Sequence, residues 1–206
     1  RPPRSTLDRS SAASDVYKRQ GVNIKFSKIN LKNNIFKNNF ADQIDLDYCK
    51  GFVRDSSFLY EAAGDNNGDG LDISGSQIYA SGNLFRNFKD KGVSVGEKSQ
   101  IFITKNNFKQ NEVASAVKDF SNAYYWNNYF SKNLRDIQVY QKKKLYGGGS
   151  IFLKKEERVS LMTSLDKRSK VFFFPEGIEK KNPWILNHPE SLTQFFNQLE
   201  VIVFNE

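Results

Sequence analysis

The sequence predicts an all-β solenoid, built from short parallel strands that stack in coils of about 22 residues. A small residue recurs at intervals of 22, 27, 23 and 22 residues, and a phenylalanine follows it nine residues later each time. One such coil cannot bury its apolar side chains alone, whereas stacked coils bury a continuous core. The small residues are Ser27, Cys49, Ser76, Ser99 and Ser121, and the phenylalanines are Phe36, Phe58, Phe85, Phe108 and Phe130.

Each repeat has the period-two alternation of β-strands. The residues two and four positions after the small residue are mostly apolar, so we expect them to point inward. A second short strand precedes each small residue, for example IDLD at 44–47 and LDIS at 71–74, and a third surrounds the phenylalanine. The inward pairs are Ile29 and Leu31, Gly51 and Val53, Ile78 and Ala80, Ile101 and Ile103, and Ala123 and Tyr125.

A column of asparagines marks a turn in each coil, seven residues after the small residue. Asparagine tolerates the left-handed backbone conformation, and stacked asparagines can hydrogen-bond from coil to coil. We therefore expect a left-handed turn and a side-chain ladder at this column. Its members are Asn34, Ser56, Asn83, Asn106 and Asn128.

Three segments carry a family resemblance, namely GDGLDISGSQIYASGNLF, DKGVSVGEKSQIFITKNNF and SAVKDFSNAYYWNNYF. They resemble the right-handed parallel β-helix repeats of the pectin-lyase-like superfamily, and the resemblance covers residues 21–150. Leucine-rich repeats share part of the pattern, but leucine is scarce here and the second half of each repeat alternates like a strand. The resemblance implies a fold more than a chemistry, because the superfamily includes lyases, epimerases, hydrolases, phage tailspikes and inert surface proteins.

The two ends of the chain differ from the repeats. Residues 15–20, DVYKRQ, match the translation of a transposon end used in sequencing adapters, so we expect residues 1–20 to be foreign to the fold. At the other end, residues 151–206 are expected to form irregular final coils followed by a cap over the solenoid or by part of another domain. Within them ESLTQFFNQL (190–199) predicts a helix and EVIVF (200–204) a strand.

Composition excludes several classes of protein. The chain has one cysteine, Cys49, and one histidine, His188, which excludes an internal disulfide and argues against a histidine-based zinc site. No apolar run approaches the roughly 18 residues of a membrane helix. The formal charge of +8 falls to +5 without residues 1–20, which remove five basic and two acidic side chains. This net charge of +5 is spread over residues of both signs, without a continuous basic stripe, so nucleic acid is not the expected partner.

The stretch DNNGDGLD, residues 65–72, is the strongest candidate for a cation site. Asp65, Asn67 and Asp69 alternate before a glycine as in the first half of an EF-hand loop, but Ser76 stands where the closing glutamate belongs. These three residues with Asp72 are the candidate ligands of a Ca²⁺ site. The alternative is that the acidic and glycine residues only form tight turns.

Asp72 also has a second candidate role. In the repeat register it lies beside Asp45 on the next coil, with Asp47 on the same outward face, at the roughly 4.8 Å spacing of neighbouring strands. Asp45 and Asp72 are therefore candidate acid and base groups for glycan chemistry, with Asp47 as a binding residue.

Farther along the same face the charges become basic. Lys118 and Tyr140 are candidates to neutralise a uronate carboxylate and assist proton abstraction, and Glu97 is a candidate binding residue. The alternative is that Lys118 simply forms an ion pair with Asp119.

An outward column of aromatic residues is the candidate platform for sugar rings. The alternative is that the C-terminal segment, with its own VFFF, packs over the column. Its members are Phe52, Tyr79, Phe102, Tyr124 and, two residues further on, Trp126.

These features lead to one functional expectation with two alternatives. We expect a polysaccharide-binding β-helix module of a secreted or cell-surface protein. The alternatives are a structural or adhesive stalk and a polysaccharide lyase or uronate epimerase, so the sequence leaves open whether the protein is an enzyme.

Overall fold

A computed structural model describes residues 21–62, 68–158, 161 and 163–204. These residues form three parallel sheets whose neighbouring strands come from successive coils, which confirms the predicted solenoid. Sheet A contains β1 (Val22–Lys25), β4 (Ile44–Asp47), β7 (Leu71–Ser74), β10 (Lys91–Gly96), β13 (Val113–Lys118), β16 (Arg135–Tyr140) and β18 (Thr163–Leu165).

The other two sheets complete each coil. Sheet B contains β2 (Lys28–Lys32), β5 (Lys50–Arg54), β8 (Gln77–Ser81), β11 (Gln100–Thr104), β14 (Asn122–Trp126), β17 (Ser150–Leu153) and β19 (Lys170–Phe173). Sheet C contains β3 (Ile35–Lys37), β6 (Ser57–Leu59), β9 (Leu84–Arg86), β12 (Asn107–Lys109) and β15 (Tyr129–Ser131). The strands β17 and β19 continue sheet B with regular parallel pairing beyond residue 150.

The five repeat phenylalanines stack inside the solenoid, as predicted. Phe58, Phe85 and Phe108 are fully buried, and Phe36 and Phe130 close the two ends of the stack. The ring centroids of successive members lie 5.1, 4.7, 5.1 and 5.0 Å apart. The stack keeps the 22-residue register because a slip by one residue would turn each ring outward.

The predicted asparagine ladder is present, with one correction to the turn. The backbone N–H of Asn83 donates to Asn106 Oδ1 at 2.9 Å, and that of Asn106 donates to Asn128 Oδ1 at 3.0 Å. The left-handed residue is the one before each ladder member, because the ladder side chain must point inward to reach the next coil. These preceding residues are Asn33, Asp55, Gly82, Lys105 and Asn127.

The C-terminal segment forms α1 (Lys155–Arg158), α2 (Ile178–Lys181), a 3₁₀ helix (Pro183–Leu186) and α3 (Leu192–Phe204). The strand predicted at 200–204 is wrong, because α3 continues through it. Leu199, Ile202 and Val203 keep the helical three- and four-residue spacing and pack into the same cluster as Phe195. The helix lies along the outer face of sheet B, whereas a cap over the end of the solenoid was one expectation.

Candidate functional site on the outer face of sheet A

The outward side chains of sheet A form two columns along the solenoid, one residue per coil. In the first column Asp45 lies beside Asp72, and Asp72 lies beside Ser94. In the second column Asp47 lies beside Ser74, and Lys118 lies beside Tyr140. The structure therefore places the candidates of this face as the repeat register predicts, with acids in the early coils and the lysine and tyrosine in the later ones.

The acidic end of the face is partly paired. Asn23 donates a 2.7 Å hydrogen bond to Asp45, and Lys25 forms a 2.6 Å ion pair with Asp47. Asp72 differs from both, because its Oδ1 atom is buried and has no hydrogen-bond partner within the described part of the chain. An unpaired buried carboxylate oxygen costs free energy, so Asp72 is the acid on this face with unsatisfied hydrogen-bonding capacity; its Oδ1 is enclosed by protein atoms, while the residue as a whole is partly exposed.

Lys118 lies across the centre of the face. The residue is only 5% exposed, and its ammonium donates a 2.7 Å hydrogen bond to Ser94 Oγ. Gly96 makes room for it, since a Cβ at that position would come within 3.1 Å of Lys118 Cε. The ammonium thus points along the first column toward the coil of Asp72.

The alternative ion pair between Lys118 and Asp119 is wrong. Asp119 is a left-handed turn residue that follows the strand, so its side chain leaves the sheet A face. It accepts hydrogen bonds of 2.8 Å from the backbone N–H groups of Lys142 and Lys143 instead. Lys118 is therefore not neutralised by its sequence neighbour.

A buried ion pair that the sequence analysis missed adjoins Asp72. Lys91 Nζ lies 3.3 Å from Asp69 Oδ1 and also contacts Asp90. Burial raises the pKa of Asp69 to about 7; Lys91 opposes this shift and the Asp72 carboxylate adds to it. Burial alone lowers the pKa of Lys91, but Asp69 and Asp90 outweigh it and raise that pKa. The sequence signal for this pair is that Asp69 and Lys91 have opposite charges and are 22 residues apart, which is the length of one coil.

Two further candidates border the face. Tyr140 is partly exposed beside Lys118, so its phenol remains available to a ligand. Glu97 lies in the turn after β10 and contacts Lys143. Glu97 therefore belongs to the rim of the face, and its carboxylate already has a cationic partner.

The calcium prediction falls partly outside the described residues, which do not include Asp65 and Asn67. Of Asp65, Asn67 and Asp69, the structure describes Asp69. It is buried and forms an ion pair with Lys91, so it does not lie exposed in a loop. Among the described residues no group of three or more histidine, cysteine, aspartate or glutamate side chains is arranged to hold a metal ion. Calcium binding stays a prediction.

The aromatic column of sheet B is not a surface platform. Tyr79, Phe102, Tyr124 and Trp126 are each no more than 2% exposed. Phe195 of α3 meets Phe102 edge-on at 4.9 Å, and the same cluster includes Phe196 and Leu199. The alternative that the C-terminal segment covers the column is correct, and in this packing the four residues are out of reach of a sugar ring.

A family model described as right-handed beta helix region matches residues 19–161, which is more than half of the chain. The chain belongs to the right-handed β-helix family. Comparison of this β-helix protein with curated proteins and with solved structures gave no match. The family describes the coil and not a lyase, epimerase or binding activity, so function has to be argued from the site.

The sequence predicts no membrane-spanning helix. In the described ranges, none of the helices combines the length and apolarity that a membrane span requires.

Proposed function

We propose that this β-helix protein binds a polysaccharide along the outer face of sheet A, at the surface of the cell or outside it. The observation that carries the proposal is the row formed by Asp72, Ser94 and Lys118. It places a carboxylate oxygen without a partner, a hydroxyl and an ammonium on neighbouring strands, with Asp72 partly exposed and with Ser94 and Lys118 buried beside it.

The shape of the face supports a long ligand. Its central outward residues Ser94, Gly96 and Ala116 are small and buried, so a ligand would reach the face at its partly exposed residues, namely Asp45, Asp47, Asp72, Ser74 and Tyr140. Polar groups recur at the roughly 4.8 Å spacing of the strands. A polymer lying along the solenoid axis would therefore meet carboxylates at Asp45 and Asp72 and a phenol at Tyr140, with the buried Lys118 ammonium supplying positive charge from beneath the face.

The rigidity of the solenoid supports the same reading. The site residues stand on strands that are paired on both sides, so binding does not require ordering a loop. The proposal does not require calcium, because Lys91 already serves as the cation beside Asp69.

A lyase or epimerase is the second candidate, and Asp72 favours it. A carboxylate with a free oxygen can accept a proton, and a neighbouring lysine can stabilise the anion that forms on a uronate. Asp72 and Lys118 would take these two roles, with Tyr140 beside Lys118. A stalk without ligand is the remaining alternative.

The test is a glycan array with the whole chain, run with and without chelator, followed by an assay for unsaturated uronate products. We expect binding that Asp72→Asn and Lys118→Met each weaken at least tenfold. Lys109→Met is the matched control, because Lys109 stands on sheet C. Product formation that Asp72→Asn abolishes would favour the enzyme, and neither binding nor product would leave the stalk.

A further inference from the structure

The C-terminal segment forms a groove that the family match, which ends at residue 161, does not include. The groove has a volume of about 590 Å³ and runs between the 3₁₀ helix and the outer side of α3. This volume lies within the range of small-molecule sites. Its lining residues are Asn182, Trp184, Ser191, Thr193, Gln194, Asn197, Gln198, Val201 and Ile202.

Six of these nine residues carry an amide or a hydroxyl and none carries a charge, although the exposed wall is more apolar than polar. Charged residues make up 26% of the whole chain, so a groove wall without one selects against ionic ligands. Amide and hydroxyl side chains each donate and accept hydrogen bonds, as sugar hydroxyls do. Gln194 and Gln198 lie one turn apart on α3, so their amides line the same side of the groove.

Trp184 supplies the apolar surface. It is partly exposed, and its ring meets Phe195 at 85° with a centroid distance of 5.3 Å. Phe195 in turn packs on Phe102 and Tyr79 of sheet B. The indole is therefore anchored to the solenoid while part of it faces the groove, which is the arrangement of a pre-organised binding residue.

We propose that this groove binds a neutral saccharide, with the sugar ring on Trp184 and its hydroxyls on the amides of α3. The groove is separate from the sheet A face in position and in charge. The proposal does not rest on the proposed function, since sheet A presents ionic groups and the groove presents none.

The test uses Trp126→Phe, which leaves Trp184 as the sole tryptophan, in fluorescence titrations with neutral tetrasaccharides up to about 10 mM. The same titration with uronate tetrasaccharides and with an uncharged peptide is run alongside. We expect a saturable change in Trp184 emission with a neutral sugar only. The parent chain, titrated by calorimetry, provides the affinity without the Trp126 substitution.

Variants assign the response to the groove. Trp184→Ala and Gln198→Leu should each weaken neutral-sugar binding at least tenfold in calorimetry, with circular dichroism showing that the fold is retained. Gln138→Leu, which removes an amide from sheet A, should leave the affinity unchanged. The proposal is overturned if no neutral sugar binds, if only the peptide or the uronate binds, or if Asp72→Asn abolishes binding and Trp184→Ala does not.

Discussion

The outer faces of sheet A and sheet B belong to the same coils, but they differ in the side chains they carry and in the packing of α3. Sheet B presents aromatic rings that α3 covers, whereas sheet A presents partly exposed carboxylates and a tyrosine beside a buried lysine. Each covered ring removes on the order of 150–250 Å² from water, which is sufficient to hold a helix against the solenoid. The repeat makes both faces, and the outward residue type decides which face acquires a covering segment and which remains available to ligands.

Removing one aromatic ring from the contact between α3 and sheet B should have the largest effect on stability. Phe196 of α3 is fully buried against Tyr124 of sheet B, so Phe196→Ala should lower the free energy of unfolding by about 3–5 kcal/mol. Val201→Ala is the matched control on α3, because Val201 is 58% exposed, and should change it by less than about 0.5 kcal/mol. Denaturant titration measures both, and equal effects would contradict the role given to the covering helix.

The free energy of unfolding should depend on pH through the charged residues at sheet A, whereas the aromatic contacts of sheet B do not titrate in this range. The folded pKa of Asp69 is about 7, above the roughly 3.9 of an unfolded aspartate, so the folded state holds this proton more tightly. Asp69 therefore contributes stability that is fully present below about pH 4 and is lost as the pH rises through 7. The loss should be roughly 2–4 kcal/mol in the parent.

Asp69→Asn should flatten this part of the pH profile, as measured by denaturant unfolding from pH 4 to 8. Lys91 does not affect the comparison, because its raised pKa lies far above this range. Burial lowers the pKa of His188 from its ordinary value, but the parent and the variant share that residue. An unchanged slope in Asp69→Asn would show that another group carries the dependence.

Substitutions at two glycines of β10 test whether the position of the Lys118 ammonium matters for ligand binding. A Cβ at Gly92 would meet the backbone oxygen of Ala114 at 2.7 Å, so Gly92→Ala should cost about 1–3 kcal/mol. A Cβ at Gly96 would meet the flexible Lys118 side chain, so Gly96→Ala should cost less than about 1 kcal/mol.

Gly96→Ala should still weaken glycan binding, because it displaces the ammonium from Ser94. Gly92→Ala, tested below its melting temperature, should leave the binding affinity unchanged. Thermal melts and glycan titrations of the two variants provide the comparison. Equal affinities in Gly96→Ala and the parent would remove Lys118 from the site.

Much of the fold and part of the site follow from the repeat. A period of about 22 residues with alternation inside it places Asp45 beside Asp72, because register between parallel coils is set by the same residues that stack inside. The neighbours of Lys118 could not be obtained in this way. Its choice of Ser94 over Asp119 depends on the left-handed turn at Asp119 and on the space above Gly96.

By itself, then, the sequence determined the solenoid, its phenylalanine stack, its asparagine ladder and the order of side chains along sheet A, since all of these follow from short-range periodicity repeated from coil to coil. Tertiary structure alone decided that EVIVF is helical and that the aromatic column is buried. Both depend on contacts between residues about 100 positions apart, such as Gln100 with Glu200 and Tyr79 with Asn187. A short apolar run fits a strand or a helix equally well, and the surface on which it packs selects between them.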